Sequence, residues 1–325
     1  MNAAGRLGAY GVGLVLIFGG AVVVSGAVVP ETTVSAWTER ADTEHGGSSA
    51  VESGTNEPAA APAEMVRGLS LQQDGYQLGA VAAPTRIRTP GELTFRITGF
   101  DGQTLTDYAT SHDKQLHLVV VRADGTQYRH VHPELRAGGL WAIPWTWNAA
   151  GSYRVFADFV PSDTAQRPTV TLTRTVEVGG PFAPQPQTSP STTSTVDGFD
   201  LALTGQLRGG AESRLTVRVT RAGEPVAALQ PYLGAYGHLV ALRDGDLAFL
   251  HVHPEGADPQ PGERAGPTVS FMTEAPTAGR YLLFFDFQVD GKVRTAAFTV
   301  DAELGTSAPT EPPPGAVDAH DGDGH

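Results

Sequence analysis

The sequence predicts an all-β protein of two tandem antiparallel β-sandwiches that follow an N-terminal transmembrane helix. Short apolar runs, each bounded by Gly, Pro or Asp, recur along residues 66–301 without a helical period. A histidine-containing motif occurs twice, beginning at His117 and again at His238, which indicates an internal duplication. An uncharged apolar stretch lies near the N-terminus. These three observations define the predicted fold class.

The N-terminal stretch, from Leu7 to Val29, is long enough to cross a bilayer as a helix. Arg6 precedes it and acidic residues follow it, which places the N-terminus inside and the remainder outside. A cleaved signal peptide is the alternative for residues 1–30, because Ser25-Gly26-Ala27 resembles a small-residue cleavage site. We therefore expect either a single-pass membrane protein with extracytoplasmic C-terminal domains or a secreted protein.

Composition divides the rest of the chain into segments. Residues 31–65 and 302–325 are rich in small and polar residues and proline, which predicts a disordered linker and a disordered tail. Residues 179–195 form a Pro/Ser/Thr-rich linker between a first sandwich at 66–178 and a second at 196–301. Six or seven short strands per unit are typical of a sandwich.

Two corners refine the predicted sandwich type. The segments NAAGSY, ending at Tyr153, and PTAGRY, ending at Tyr281, resemble the tyrosine corner of immunoglobulin-type sandwiches. In that corner a Tyr hydroxyl closes a loop onto the backbone. The predicted domains are therefore immunoglobulin-like, although the disulfide of many such domains is excluded because the chain has no cysteine.

The duplicated motif reads HLVVVRADGTQYRHVHPE in the first copy and HLVALRDGDLAFLHVHPE in the second. Each copy carries three histidines at identical spacing, and imidazole is the commonest protein ligand for transition metals. The candidate metal ligands are His117, His130, His132, His238, His251 and His253.

Turn chemistry places the histidines of the first copy on one face. Asp124-Gly125 between two β-type runs is a strong hairpin signal. Counting outward from this turn pairs Val119 with His130 and His117 with His132, so all three imidazoles project from the same side. At cross-strand spacings of about 4.5–5.5 Å they can converge on one ion.

The second copy leaves two registers open. A turn at Gly245-Asp246 pairs His238 with His253, as in the first copy. A turn at Asp244-Gly245 pairs His238 with His251 instead. Neutral imidazole is the ligand form, so we expect metal affinity to fall as the pH drops through about 6.5.

Three further residues are candidates for a supporting role. Asp158 and Asp286 occupy matching positions on apolar strands, where each either orients an imidazole N–H or faces solvent. His112 has Leu233 at the matching position of the second copy, so it is outside the shared pattern but is able to supplement the first site.

Charge and composition exclude several functions. The net charge of −13 argues against nucleic acid as a partner, because phosphate binding needs clustered Lys and Arg. The absence of cysteine excludes thiolate metal sites and favours Cu(II) or Zn(II) held by nitrogen and oxygen ligands. No nucleophile elbow, phosphate loop or dinucleotide fingerprint is present, so we expect no enzyme activity.

The duplicated histidine motifs, the segment LQPYLGAYGHLVALR and the corners before Tyr153 and Tyr281 resemble a family of exported, membrane-anchored bacterial proteins. Members of that family are often labelled heavy-metal-binding, and their domains are similar to YtkA-like and periplasmic copper-resistance sandwiches. The resemblance covers about Leu69 to Val300. It implies metal handling, with copper foremost and the histidine triplets as ligands.

The leading hypothesis is an extracytoplasmic protein that buffers, sequesters or passes on copper or zinc through three-histidine hairpin sites. A metal transporter or another envelope protein is the expected partner. The alternative is a non-catalytic interaction or structural module of the cell envelope in which the histidines are structural.

Overall fold

The computed structural model describes residues 66–162, 169–186, 189–250, 252–260 and 262–304. Every residue that the structure describes belongs to one compact unit by its contacts. Both copies of the histidine motif are therefore parts of one compact unit.

In the residues that the structure describes, the first sequence repeat folds into eleven strands and one short 3-10 turn. The strands are β1 (Gln72–Gln73), β2 (Tyr76–Leu78), β3 (Gly91–Phe95), β4 (Ile97–Thr98), β5 (Tyr108–Ala109), β6 (Leu116–Arg122), β7 (Arg129–Val131), β8 (Glu134–Arg136), β9 (Leu140–Trp145), β10 (Gly151–Pro161) and β11 (Val170–Val178). The 3-10 turn, Ala137–Gly139, joins β8 to β9.

The second repeat folds into eleven further strands. They are β12 (Thr193–Val196), β13 (Phe199–Thr204), β14 (Arg208–Gly209), β15 (Glu212–Arg221), β16 (Glu224–Pro225), β17 (His238–Arg243), β18 (Phe249–Leu250), β19 (Val252–Pro254), β20 (Thr268–Glu274), β21 (Gly279–Val289) and β22 (Lys292–Leu304). The predicted all-β fold is confirmed. Strand β12 begins inside the segment predicted as a linker, at Thr193.

The first repeat is a sandwich of two main sheets. One has the order β11-β10-β6-β7, with β5 also paired to β10, and the other has the order β3-β9-β8; a small sheet, β1-β2-β4, completes the unit. The side chains between the sheets include three tryptophans, Trp141, Trp145 and Trp147, each about 2% exposed. This aromatic cluster forms the core of the first sandwich.

The second repeat is built in the same way. Its sheets have the orders β14-β22-β21-β17-β18 and β12-β13-β15-β20-β19, with β16 paired to β15. Strands β6, β7, β10 and β11 of the first sandwich correspond to β17, β18, β21 and β22 of the second. Phenylalanines rather than tryptophans fill this core, among them Phe271, Phe285 and Phe287.

Both predicted tyrosine corners are present. The Tyr153 hydroxyl donates to the carbonyl of Ala149 at 2.8 Å, and the Tyr281 hydroxyl donates to the carbonyl of Thr277 at 2.9 Å. Each bond spans four residues and ties the start of a long central strand, β10 or β21, to the preceding loop.

The two sandwiches pack against each other through their equivalent sheets. A third apolar cluster combines Val119 and Val121 of β6 with Val240 and Leu242 of β17. The interface is nearly symmetric in its aromatic contacts. Tyr128 stacks on Phe284 with ring centroids 3.9 Å apart, and the corresponding Phe249 packs on the corresponding Phe156 at 5.6 Å.

This packing explains an oddity of the central strands. β6 reads LHLVVVR and is buried at every position, because one face lies in the core of its own sandwich and the other faces the second sandwich. A strand buried on both faces loses the alternation of apolar and polar residues. The interface is therefore formed by the outer faces of β6, β10, β17 and β21. The polar side chains on these faces form the candidate site.

Within the described parts of the chain, no helix is long and apolar enough to cross a membrane. The stretch predicted as an anchor or signal segment, residues 7–29, lies outside those parts.

Candidate metal centre

The hairpin of β6 and β7 positions the first histidine triplet. Val119 lies opposite His130 and Leu118 opposite Val131, which confirms the register predicted from the Asp124-Gly125 turn. A buried ion pair between Arg122 and Asp124, at 2.8 Å, holds this turn in place. His132 follows β7 directly, on the same face as His130.

Three imidazole nitrogens converge at this face. The Nδ1 atom of His117 lies 3.1 Å from Nε2 of His130 and 3.2 Å from Nε2 of His132. Ligands placed tetrahedrally at 2.0–2.1 Å from one ion are separated by about 3.3 Å. The three residues are therefore spaced as ligands of a single ion. Among the described residues, they are the group of three or more His, Cys, Asp or Glu side chains close enough together to hold a metal ion.

The opposite ring nitrogens are held by fixed acceptors. The Nε2–H of His117 donates to the backbone carbonyl of Ser111 at 3.1 Å, and the Nδ1–H of His130 donates to the Asp286 carboxylate at 2.9 Å. These bonds assign the tautomers of His117 and His130, so that the lone pairs of His117 Nδ1 and His130 Nε2 face each other at 3.1 Å. Lone pairs directed at one another repel, and a bound cation removes that repulsion.

Asp286 belongs to β21 of the second sandwich, whereas His130 belongs to the first. The Asp286 side chain is 4% exposed and that of His130 is 5% exposed, so the contact is buried at the interface. The hydroxyl of Thr295, on the neighbouring strand β22, donates to the other carboxylate oxygen. A carboxylate that fixes a ligating histidine in this way is a common feature of metal sites.

Asp158 is the counterpart of Asp286 in the first sandwich. It lies opposite His117 on β10, and it accepts a hydrogen bond from the Thr171 hydroxyl at 2.7 Å. Burial raises the pKa of Asp158 to about 6. Its side chain lines a pocket of about 80 Å³ together with His117 and His130. Neither predicted aspartate faces open solvent.

His238 repeats the arrangement of His117. Its Nε2–H donates to the carbonyl of Tyr232 at 2.8 Å, and Tyr232 is the residue that corresponds to Ser111. The register of β17 with β18 pairs Ala241 with Leu250, which matches a turn at Gly245-Asp246 and not the alternative turn.

The rest of the second triplet cannot be placed in the same way. Strand β19 leaves its hairpin partner and pairs with β20 of the other sheet, with the His253 backbone opposite Met272. His251 and the side chain of His253 lie outside the described part of the chain.

His238 lies instead next to the first triplet. Its ring centroid is 6.4 Å from that of His130 and 5.5 Å from that of His112. His112, on the loop before β6, is in turn 6.2 Å from His117. Five histidines of the two sandwiches therefore form one neighbourhood at the interface.

Burial lowers the pKa of three of these histidines. The pKa falls to about 3 for His117, to about 2 for His132 and to about 4 for His238, and neighbouring imidazoles add to the effect. Protons therefore compete for the ring nitrogens of His117 and His132 only at low pH. The sequence predicted that metal affinity falls as the pH drops through about 6.5. Burial moves this fall to a lower pH, at which the buried rings gain a proton.

Sequence reasoning identified the triplet and its hairpin but not the contribution of the second sandwich. The carbonyls of Ser111 and Tyr232 are backbone atoms and leave no sequence signal. The packing of the two repeats did leave a sequence signal. Apolar and polar residues do not alternate in β6, in β17 or in the segment LLFFDF of β21. Uninterrupted apolar strands with one His and one Asp indicate a buried outer face.

One family matches both repeats. The family described as "Domain of unknown function (DUF8832)" matches residues 71–178 and 194–304, about two thirds of the chain. No curated protein matches the chain.

Among solved structures, the chain is similar to a DUF4426 family protein from Pseudomonas aeruginosa PAO1, with 9% identity, a TM-score of 0.26, and coverage of 35% of this chain and 97% of that one. It is similar to the adhesin InvE of Yersinia pseudotuberculosis, with 12% identity, a TM-score of 0.21, and coverage of 71% and 60%. It is also similar to Salmonella alpha-2-macroglobulin reacted with methylamine, with 17% identity, a TM-score of 0.25, and coverage of 75% and 16%. These similarities carry no functional inference.

Proposed function

The chain belongs to the family described as Domain of unknown function (DUF8832), and we propose that it binds a transition-metal ion, Cu(II) or Zn(II), at His117, His130 and His132. One observation carries the proposal. The Nδ1 atom of His117 lies 3.1 Å and 3.2 Å from the Nε2 atoms of His130 and His132, while the opposite nitrogens of His117 and His130 donate to Ser111 and Asp286.

The donor set restricts the metal. Three imidazoles and no thiolate favour Cu(II) or Zn(II) over Cu(I), Ca²⁺ or Mg²⁺. Of the two proposed ions, Cu(II) is the one that nitrogen ligands hold more tightly. Three protein ligands leave a coordination position for water, a small ligand or a donor from a partner protein.

The proposed role is to buffer, sequester or pass on metal outside the cytoplasmic membrane. The uncharged stretch at residues 7–29 supports export, as an anchor or as a signal segment. The net charge of −13 favours the approach of cations. We propose no catalytic activity, because the sequence carries no nucleophile elbow, phosphate loop or dinucleotide fingerprint.

A structural role for the histidines is the competing proposal. The His130–Asp286 contact joins the two sandwiches and is buried, so it also contributes to their packing. On this alternative the protein is an envelope interaction module, and the imidazoles are hydrogen-bonded core residues. Removing them would then lower stability and leave metal uptake unchanged.

Calorimetric titration of the purified protein with Cu(II) and with Zn(II) at neutral pH separates the two proposals. The variant pair is His130→Ala with His132→Ala. The matched control changes two tail histidines, His320→Ala with His325→Ala. We expect tight binding by the wild type and by the tail variant, and at least a roughly hundredfold loss of affinity when two of three ligands are removed.

Thermal unfolding of each variant in the presence of a chelator accompanies the titration. A cluster variant that is less stable yet binds metal like the wild type would support the structural alternative. A wild-type protein that binds neither ion beyond the weak background of surface carboxylates would refute the metal proposal.

A further inference from the structure

We propose that His112 and His238 form a second metal site beside the three-histidine cluster, an inference that rests on the proposed function. The pair joins the two sandwiches, because His112 precedes β6 and His238 begins β17. We call it the outer site.

Ring spacing distinguishes the outer site from its neighbour. Within the cluster, ring centroids are 4.9 Å (His117–His132), 5.0 Å (His130–His132) and 5.3 Å (His117–His130) apart. Imidazoles that share a tetrahedral ion have centroids about 5 Å apart, given ion–nitrogen distances of about 2.0–2.1 Å. The His112–His238 separation of 5.5 Å is close to this value.

The distances from the rings of His112 and His238 to the nearest cluster rings are longer than the distance between His112 and His238 themselves. His112 is 6.2 Å from His117, and His238 is 6.4 Å from His130. These separations exceed the roughly 5 Å between imidazoles that share a tetrahedral ion. The five rings therefore divide into a group of three and a group of two.

The orientation of His238 is suited to coordination. Its Nε2–H is used by the carbonyl of Tyr232, as that of His117 is used by the carbonyl of Ser111. In His117 this arrangement presents Nδ1 to the other histidines of the cluster. The same backbone anchor in the second repeat leaves Nδ1 as the coordinating nitrogen of His238.

Access to solvent differs between the two sites. His112 is exposed and lines both the small pocket that contains His117 and a wide surface groove of about 840 Å³. Asp113, Asp258 and Glu263 line this groove together with Arg264, and the excess of carboxylates makes its opening attractive to cations. With two protein ligands completed by water, the outer site is expected to bind more weakly and to exchange faster than the cluster.

The test is titration of the full-length protein with Cu(II), followed by visible absorption and calorimetry. We expect two binding events in the wild type, the second roughly tenfold or more weaker because it has fewer nitrogen ligands. His112→Ala should remove the second event and leave the first unchanged. His132→Ala should weaken the first event and leave the second in place.

Two further variants identify other sources of a second event. The pair His251→Ala with His253→Ala tests the second triplet, and His320→Ala with His325→Ala tests the tail. The proposal is supported if both pairs retain the second event.

The outcomes separate this inference from the proposed function. A first event with no second one, or a second event that persists in His112→Ala, would overturn the outer site while the cluster stands. Loss of the second event in the His251 and His253 variant alone would also overturn it and assign the second event to the second triplet. No binding at all would overturn both proposals.

Discussion

Asp286 is the residue through which the second sandwich acts on the cluster of the first. Its carboxylate accepts the Nδ1–H of His130, and the Thr295 hydroxyl holds the other oxygen. This contact fixes the tautomer of His130 and raises the basicity of the nitrogen that faces the cluster. In the proposed metal site, Asp286 is therefore a positioning residue rather than a ligand.

Replacing Asp286 by Asn should lower Cu(II) or Zn(II) affinity by about 10- to 100-fold, the usual effect of losing such a carboxylate. Asn keeps the shape but loses the negative charge that favours the N–H of His130. Competition with a chromophoric chelator measures the affinity.

The matched control is Asp158→Asn, which removes the equivalent partly buried carboxylate. Asp158 accepts from Thr171, and no described hydrogen bond joins it to His130. A smaller loss than in Asp286→Asn is expected. Equal losses in the two variants would show that charge near the site matters rather than the contact with His130.

Sequence alone predicted the histidine triplet better than the groups that hold its rings. His117, His130 and His132 were identifiable because residue spacing and turn chemistry fix which side chains share a face. The pairing of His130 with Asp286 spans 156 positions and depends on how two sandwiches pack, which no local pattern encodes.

At the scale of elements, the β6–β7 hairpin links the site to the interface. Its turn residue Gly125 has φ = +77°, and a Cβ there would lie 2.2 Å from Cδ1 of Leu282 in the second sandwich. Glycine is required twice over, by the backbone conformation and by the close approach of the other sheet.

Gly125→Ala should therefore destabilise the protein more than an ordinary glycine substitution in a turn. The matched control is Gly223→Ala, because Gly223 has φ = +84° and open space around its Cβ position. Both variants carry the strain of a left-handed alanine, and only Gly125→Ala adds the clash, which costs about 1–3 kcal/mol more.

Urea unfolding at neutral pH measures both free energies of unfolding. Identical losses in the two variants would mean that the hairpin turn does not press on the second sandwich in solution.

The elements themselves were largely predictable. Strands such as β10 and β22 showed alternation or long β-type runs, and the turns beside them carried Gly, Pro or Asp. The departure of β19 to the opposite sheet was not predictable. A continuous run through HVHP gives no signal for the point at which a strand changes partners, because both sheets offer the same hydrogen bonds.

At the scale of the whole molecule, the duplication has produced one unit rather than two separate domains. The outer faces of β6 and β17 are apolar apart from their histidines, and they cover each other. The polar residues at this interface include His117, His130, His238, Asp158 and Asp286. The site therefore depends on the union of the repeats.

This burial predicts a pH dependence of stability in the metal-free protein. The pKa is about 3 for His117 and about 4 for His238 in the folded state, both below the ordinary value of 6.5. As pH falls below about 6.5, the unfolded chain binds protons at these rings and the folded chain does not. Stability should fall by about 1.4 kcal/mol per pH unit for each histidine.

Asp158 acts in the opposite direction over part of this range. Its folded pKa of about 6 lies above the unfolded value, so the folded state binds its proton first between about pH 6 and pH 4. In that range, the dependence of the unfolding free energy on pH is therefore reduced by about 1.4 kcal/mol per pH unit, the contribution of one proton.

Chemical unfolding at pH 7.5 and at pH 5 with a chelator present measures the effect. His238→Leu should make the slope smaller, and His320→Ala in the tail should leave it as in the wild type. Equal stability at the two pH values would contradict the burial of neutral imidazoles at the interface.

The most direct test of the central claim is a crystal structure of the protein grown with one equivalent of Zn(II), with data collected on both sides of the zinc absorption edge. We predict an anomalous peak about 2.0–2.1 Å from Nδ1 of His117 and from Nε2 of His130 and His132. Asp286 should remain hydrogen-bonded to His130. A peak only at surface carboxylates or tail histidines, with the three rings hydrogen-bonded as structural residues, would contradict it.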